Sequence, residues 1–169
     1  MTTSFAWLLR SVIPALAVLF FVGCNTYEDS PYDTAPDTIS PQRMLDLVND
    51  VRTSGCDCGS DYFPPVDPVR WDSRLEEAAY NHSVWMEQNR NLSHTETGGS
   101  NAGDRIDATG YNWQAFGENI AEGYSTEEAV MDAWLRSPGH CENIMNPDFF
   151  EMGAAVSGGY WTQVFAQPF

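Results

Sequence analysis

The last segment of the chain constrains the fold most strongly. Residues 151–165 read EMGAAVSGGYWTQVF, in which two runs of β-prone residues are separated by Gly158-Gly159. A glycine pair tolerates the positive φ angles that a tight turn between antiparallel strands requires. The pattern therefore predicts a terminal β-hairpin, and the fold must contain an antiparallel sheet.

Upstream of the hairpin, apolar residues recur at helical spacing. A first helix is predicted to begin at Ser40-Pro41, with serine as the cap and proline at the first helical position, and to end at Gly55. Asp72 is predicted to cap a second helix. The inward-facing stripe of that helix consists of Leu75, Ala78, Ala79, His82 and Met86. His82 is interpreted as a core histidine with one satisfied hydrogen bond.

Two further helices are predicted in the second half of the chain. A short one spans residues 104–108, and a longer one follows the capping-box sequence STEE at 125–128 and ends at Ser137-Pro138-Gly139. The remainder of residues 91–124 is rich in glycine, and residues 56–71 are predicted to form a loop that lays Phe63 and Trp71 on the core. Helices combined with a mostly antiparallel sheet indicate an α+β domain over residues 41–169.

The N-terminus has the features of an export signal. Over residues 1–23, Arg10 precedes an apolar run from Val12 to Val22, which is shorter than the roughly 20 residues that a membrane-spanning helix needs. The sequence FVGC at 21–24 resembles the lipobox of bacterial lipoproteins, which implies that Cys24 becomes the lipidated first residue of the mature protein. The alternative is an ordinary secretory signal. The chain is thus expected outside the cytoplasm, either secreted or lipid-anchored to a membrane, the outer one in a Gram-negative host.

Charge limits the partners of the chain. Eight arginines stand against 24 acidic residues, and the formal net charge is −16 with the histidines neutral. Such a surface repels phosphates, so nucleic acid is excluded as a partner and membrane attachment must come through the lipid. Residues 24–40 are acidic and contain prolines, and they are predicted to be a tether that holds the domain away from the membrane.

Export also favours oxidised cysteines. Cys56 and Cys58 are too close in sequence to bridge each other without strain, whereas either of them can pair with Cys141. We prefer the pair Cys58 and Cys141. A four-ligand zinc knuckle would need a second cysteine or histidine pair with matching spacing, and the sequence has none.

Five motifs carry a family resemblance. In order, they are LSHT at 92–95, DRIDATGY at 104–111, GENIAEG at 117–123, AWLRSPGHCENIMNPDF at 133–149 and YWTQVF at 160–165. In order and spacing they resemble the bacterial branch of the CAP superfamily, the SCP/PR-1 family of cysteine-rich secretory proteins. The resemblance implies a three-layer α-β-α sandwich with a central antiparallel sheet.

The resemblance also implies a cleft lined by two histidines and two glutamates. Carried over to this sequence, the family residues are His94, Glu118 and His140, while Ser137 stands where the second glutamate is expected. Two imidazoles and one carboxylate are a suitable ligand set for Zn²⁺ with an open position for water. Each side chain also has a purely structural interpretation, in which it hydrogen-bonds to nearby backbone.

Three functions are compatible with these features. The chain is first expected to be a binding module at the cell envelope, whose cleft takes a divalent metal, a lipid or sterol-like molecule, or a peptide. The second candidate is a metal-dependent hydrolase with Glu118 as general base. The third is a structural envelope protein with a vestigial cleft, which an unidentified partner protein recognises through the acidic surface.

Overall fold

The computed structural model of the protein describes Met1 and residues 38–169. The predicted export signal, the lipidation site Cys24 and most of the predicted tether lie outside the described residues. In the part of the chain that is described, every helix is too short or too polar to cross a bilayer.

Five helices and six strands make up the described domain. In chain order they are α1 (Pro41–Ser54), β1 (Cys56–Cys58), β2 (Asp61–Phe63), β3 (Arg70–Trp71), α2 (Ser73–Asn89), α3 (Ala102–Ala108), β4 (Trp113–Glu122), α4 (Glu127–Arg136), α5 (Pro138–Ile144), β5 (Glu151–Ser157) and β6 (Tyr160–Pro168).

The main sheet has the strand order β3-β5-β6-β4. The hairpin β5–β6 is antiparallel as predicted, β4 pairs antiparallel with β6, and β3 pairs parallel with β5. Gly158 and Gly159 have φ angles of 53° and 83°, the left-handed region that the turn requires. Strands β1 and β2 form a separate small hairpin.

Helices cover both faces of this sheet. One face packs on α2 and α3 through a cluster that includes Leu75, Ile106 and Val164. The other face packs on α1, α4 and α5 through a cluster that includes Met44, Trp134, Ile144, Trp161 and Phe165. Successive β6 side chains alternate between these clusters, as a pleated strand requires. The predicted three-layer α-β-α sandwich is therefore confirmed.

Helix α2 lies directly on the backbone of β5. A Cβ atom on Gly153 would lie 2.1 Å from the backbone nitrogen of Glu76, so only glycine allows this approach. The predicted caps of the first two helices are confirmed, since the side chains of Ser40 and Asp72 accept hydrogen bonds from the backbone of Arg43 and Arg74.

Several boundaries differ from the prediction. The glycine-rich segment contains the ten-residue strand β4, because continuous pairing with β6 outweighs the weak strand propensity of Gly117 and Asn119. The predicted loop 56–71 contains the three short strands β1, β2 and β3, although Phe63 and Trp71 do pack on the core. Helix α3 begins two residues early, at Ala102, because Asn101 forms a capping box with Asp104.

The segment after α4 also differs from the prediction. Thr126, rather than Ser125, caps α4. Pro138 does not merely terminate that helix but occupies the first turn of α5, where its missing N–H costs nothing. His140 and Cys141 thus lie on a helix, and Ile144 and Met145 anchor its end in the core.

Two side chains close the outer edge of β4. The Asn143 amide donates to the carbonyl of Glu118 at 3.2 Å, and the Trp134 indole N–H donates to the carbonyl of Ile120 at 3.3 Å. Helices α4 and α5 are therefore hydrogen-bonded to the strand that carries the candidate site.

Candidate functional site

The centre of the candidate site is the carboxylate of Glu118 on β4. Nδ1 of His94, in the loop after α2, donates to Oε1 of Glu118 at 2.8 Å. Nη2 of Arg105, on α3, donates to Oε2 at 2.6 Å. Both the Glu118 and Arg105 side chains are buried, whereas the side chain of His94 is 56% exposed. The structure thus brings His94 and Glu118 together and leaves one face of the imidazole open to solvent.

The surroundings of Glu118 favour its ionised form. Burial alone would raise the pKa of this carboxyl, but the hydrogen bond from His94 and the positive charge of Arg105 outweigh burial and hold the pKa below its ordinary value. Each oxygen accepts one of these hydrogen bonds, and burial limits the access of a water molecule or an ion to the remaining lone pairs.

A second carboxylate belongs to the same cluster. Nδ1 of His82, on α2, donates to Oε1 of Glu96 at 2.8 Å, and Glu96 lies 3.7 Å from Arg105. His82 is fully buried; its Nε2 has no hydrogen-bond partner among the described residues and lies 4.0 Å from Oε1 of Glu118. The interpretation of His82 as a core histidine with one hydrogen bond is confirmed, and this histidine lies against the site.

Three residues of this cluster were missed as site residues by the sequence analysis, namely His82, Glu96 and Arg105. Two signals in the sequence could have indicated Glu96 and Arg105. Glu96 follows His94 by two residues, and Arg105 is the single arginine between Arg90 and Arg136. When a long acidic segment contains one cationic side chain and one buried carboxylate, the cation is a candidate counter-ion for that carboxylate.

His140 occupies a neighbouring position on α5. The amide of Asn119, next to Glu118 on β4, donates to the His140 carbonyl at 3.1 Å and to Oε1 of Gln163 at 3.0 Å. Burial and the nearby His94 both lower the pKa of His140 below its ordinary 6.5. The ring is consequently uncharged at neutral pH, the form in which imidazole binds a metal.

An open groove of about 570 Å³ has His140 in its wall. Ser137, at the position expected for the second glutamate, also lies in the wall. Apart from the acidic Glu122, the other lining residues are mostly apolar and include Leu92, Ile120, Tyr124, Ala133 and Trp134. A second recess contains His94 and Glu118. The recess and the groove are close along the chain. Leu92 and Ile120 of the groove are each two residues away from a residue of the recess, His94 and Glu118 respectively.

The donor atoms fit a metal only in part. Both oxygens of Glu118 accept hydrogen bonds, one from His94 and one from Arg105. The bond from Nδ1 of His94 to this carboxylate leaves the Nε2 of the ring available. A carboxylate on the far nitrogen is the usual support for a metal-binding histidine. Of the three predicted ligands, His94 and His140 therefore have suitable donors, and Glu118 is placed to orient His94.

The tightest group of potential ligands in the described residues lies elsewhere. The ligand atoms of Cys56, Cys58 and Cys141 all lie within 4.8 Å of one another, and those of His94, Glu118 and His140 form no second group of this kind. Cys58 and Cys141 form a disulfide, as preferred from the sequence, and Cys56 is not bridged to a described cysteine.

Known proteins resemble this chain over most of the domain. The uncharacterized protein YkwD of Bacillus subtilis is 35% identical over 136 residues, which are 78% of this chain and 49% of YkwD. The chain matches between 34% and 49% of the length of the curated relatives it resembles. These relatives are therefore considerably longer proteins.

Solved structures show the same fold. An extracellular protein containing an SCP domain from Bacillus anthracis superposes with a TM-score of 0.66 at 29% identity, covering 75% of this chain and 40% of that one. NaASP2, whose crystal structure was determined with Zn²⁺, superposes with a TM-score of 0.54 at 15% identity over 80% of this chain and 82% of its own. This second likeness concerns the fold alone.

A family model supplies the assignment. The model of the cysteine-rich secretory protein family, CAP, matches residues 45–167. This match spans every helix and strand of the sandwich except the first turn of α1 and the last residue of β6. The chain therefore belongs to the CAP family of cysteine-rich secretory proteins.

Proposed function

We propose that the protein is a binding module of the cell envelope, whose groove takes an elongated apolar molecule with its polar end at His140 and His94. The observation that carries this proposal is the mostly apolar groove of about 570 Å³, which has one of the two histidines, His140, in its wall. A concave apolar surface with a few polar groups at one end is typical of sites for small molecules. A lipid-like ligand is the class that matches this lining best.

The two histidines form the polar end of the proposed site. His94, oriented by Glu118, and His140, uncharged at neutral pH, provide two imidazole donors for a divalent metal such as Zn²⁺ or for hydrogen bonds to a polar head group. The Zn²⁺ in the NaASP2 crystal structure supports a metal in this fold.

The site supports binding better than hydrolysis. A general base works best when its pKa lies near the working pH and when it can reach a water molecule. The pKa of Glu118 lies below its ordinary value, and both oxygens accept hydrogen bonds from His94 and Arg105. To act as a base, Glu118 would need a water molecule at the remaining lone pairs of a side chain that is only 4% exposed.

Metal binding is tested by calorimetric titration of Zn²⁺ into the oxidised, chelator-stripped chain in detergent. We expect one binding event that the His94→Ala/His140→Ala double variant loses and that Glu142→Ala, an exposed carboxylate variant on α5, retains. Equal binding by all three proteins would show that the histidines do not form a metal site.

The groove itself is tested with a fluorescent long-chain fatty acid. Ala133 lies in the wall of the groove, so Ala133→Trp fills the groove without touching His94 or Glu118. We expect saturable binding that this variant loses and that Arg136→Gln, an exposed neighbour, retains. Unchanged binding in Ala133→Trp would overturn the groove as the site.

We further propose that a lipid on Cys24 holds the domain at a membrane. The extracellular location of the SCP-domain protein of Bacillus anthracis supports export. Cell fractionation tests the anchor, because Cys24→Ser should move the protein from the membrane fraction to a soluble fraction. Retention of this variant in the membrane would contradict lipidation of Cys24.

A further inference from the structure

Three sulfur atoms meet between β1 and α5, on residues that the proposed binding function does not use. The Cys56 sulfur lies 3.6 Å from that of Cys141 and 3.9 Å from that of Cys58. Cys58 and Cys141 are bonded to each other and almost fully buried, whereas Cys56 is half-buried. Within the described residues, the ligand atoms of no other three acidic, histidine or cysteine side chains lie this close together.

The backbone holds these three sulfurs in place. Cys56 and Cys58 are two residues apart on β1, so their side chains lie on the same face of the strand. The pairing of β1 with β2 fixes that face, with Cys56 opposite Phe63 and Cys58 opposite Asp61. Cys141 comes from α5, which Pro138 begins and buried Ile144 anchors. The three side chains thus converge from two independently stabilised elements.

The arrangement is not suited to thiol–disulfide exchange. Exchange requires a thiolate to attack one sulfur of the bridge along the S–S axis, so that the three sulfurs lie in a line. The Cys56 sulfur instead lies beside the bridge, at similar distances from both of its sulfurs. The three atoms form a triangle, which is the arrangement that a metal with three thiolate ligands requires.

We propose that opening the Cys58–Cys141 bridge converts these three cysteines into a site for a thiophilic divalent d¹⁰ ion of the Zn²⁺ and Cd²⁺ class. Zn–S bonds of about 2.3 Å in tetrahedral geometry place thiolate sulfurs about 3.8 Å apart. The two non-bonded distances of 3.6 and 3.9 Å already match this spacing. Only the bonded pair has to separate, and the fourth position is left for water.

The redox step balances with an external thiol reductant. Two equivalents of a reducing thiol transfer two electrons and two protons to the bridge, which gives one external disulfide and the thiols of Cys58 and Cys141. Binding of the ion then displaces the protons of the three thiols. The bridge and the metal site are therefore mutually exclusive, and each of them ties α5 to β1.

The test uses the full-length chain in detergent, with Cys24→Ser in every sample so that the cluster supplies all the thiols. Cd²⁺ is titrated into protein reduced with a dithiol and then freed of reductant without oxygen. Thiolate-to-metal absorption in the ultraviolet and the melting temperature are recorded. We expect the thiolate absorption to saturate at one ion per chain, and the melting temperature to be several degrees higher than that of the metal-free reduced protein.

Cys56→Ser is the decisive variant, because it keeps the bridge and removes only the third sulfur. After reduction its affinity for thiolate-bound Cd²⁺, read from the ultraviolet absorption, should fall at least tenfold, and Cd²⁺ should raise its melting temperature less than that of the parent. The His94→Ala/His140→Ala variant should bind Cd²⁺ at the cluster as the parent does, which separates this site from the histidine site. Zn²⁺ should compete with Cd²⁺.

Three results would overturn the proposal. Equal Cd²⁺ binding by the reduced parent and Cys56→Ser would show that only two sulfurs act. Thiolate absorption of the same strength in the oxidised protein would show that the bridge does not control the site. Unfolding on reduction that Cd²⁺ does not reverse would show that the three sulfurs do not converge without the bridge.

Discussion

Glu118 owes its properties to its immediate neighbours. Its side chain is buried, and the guanidinium of Arg105 lies 2.6 Å away as its counter-ion. Taking a carboxylate out of water is costly, and a paired cation with good hydrogen-bond geometry offsets that cost. Arg105 therefore acts on the site through Glu118, and it also donates directly to the backbone carbonyl of His94 at 3.2 Å.

Replacing Arg105 should consequently destabilise the fold. Arg105→Met leaves the Glu118 carboxylate buried without its cation, and we expect the free energy of unfolding at neutral pH to fall by about 3 to 5 kcal/mol. Urea denaturation measures this change. Arg136→Met removes an exposed arginine on α4 and should change stability by less than about 0.5 kcal/mol. Similar losses in both variants would contradict the role of the buried pair.

The lowered pKa of Glu118 also predicts an acid-sensitive contribution to stability. A carboxyl whose pKa is lower in the folded than in the unfolded state contributes fully above its ordinary pKa of 4.5, and the contribution disappears as the pH falls through the folded-state value. Stability measured from about pH 6 down to about pH 3 should therefore fall less steeply in Glu118→Gln than in the parent. The exposed-site variant Glu142→Gln should keep the parental slope, and parallel slopes for Glu118→Gln would contradict the prediction.

At the scale of elements, α1 is joined to the segment after α5 by one buried arginine. The Arg52 guanidinium donates to the backbone carbonyls of Asp67, Ile144, Asn146 and Phe149 at 2.7 to 3.1 Å. Burial lowers the pKa of Arg52 to about 10, so it remains charged at neutral pH. This single side chain satisfies four acceptors, one at the C-terminal end of α5 and three outside the helices and strands.

Removal of Arg52 should therefore loosen the end of α5. We expect Arg52→Met to lower the free energy of unfolding by about 3 kcal/mol or more, because buried carbonyls lose charged donors. Arg43→Met on the same helix breaks only the exposed ion pair with Glu128 and should cost less than about 1 kcal/mol. Hydrogen exchange should show faster opening of residues 141–149 in Arg52→Met alone, and unchanged exchange there would refute this role.

The sequence predicts some of these elements and not others for physical reasons. Helices α1 and α2 were predictable because their caps and apolar stripes are local signals. Strand β4 was not, because Gly117, Glu118 and Asn119 are poor strand formers and their conformation depends on distant β6. Helix α5 is not predicted from the sequence, because Pro138 both ends one helix and begins the next. In the site, the motifs indicated His94 and Glu118, but only the folded chain brings Arg105 and Glu96 to them.

At the scale of the whole molecule, one disulfide cross-links the small β1–β2 hairpin to the sandwich. The Cys58–Cys141 disulfide closes a loop with a sequence separation of 83 residues. Such a bridge stabilises a protein mainly by restricting the unfolded chain. The bond therefore contributes to the stability of the whole domain and not only to the corner where it lies.

Loss of this disulfide should lower global stability. We expect Cys58→Ala/Cys141→Ala to reduce the free energy of unfolding by about 4 kcal/mol in the chain-entropy model. Cys56→Ser retains the bridge and serves as the matched control, with stability close to that of the parent. Urea denaturation of both variants without reductant or metal measures the difference. If the double variant were as stable as Cys56→Ser, the bridge would restrain little of the unfolded chain.

The two hydrogen bonds that close the outer edge of β4 have a consequence for crowded surfaces. An open strand edge invites pairing with the same strand of a neighbouring copy, and proteins that concentrate at one place are most exposed to this form of aggregation. Here the carbonyls of Glu118 and Ile120 are already taken by Asn143 and Trp134. The edge that presents the site therefore offers fewer free acceptors to a second copy, which disfavours strand-to-strand polymerisation where copies are concentrated.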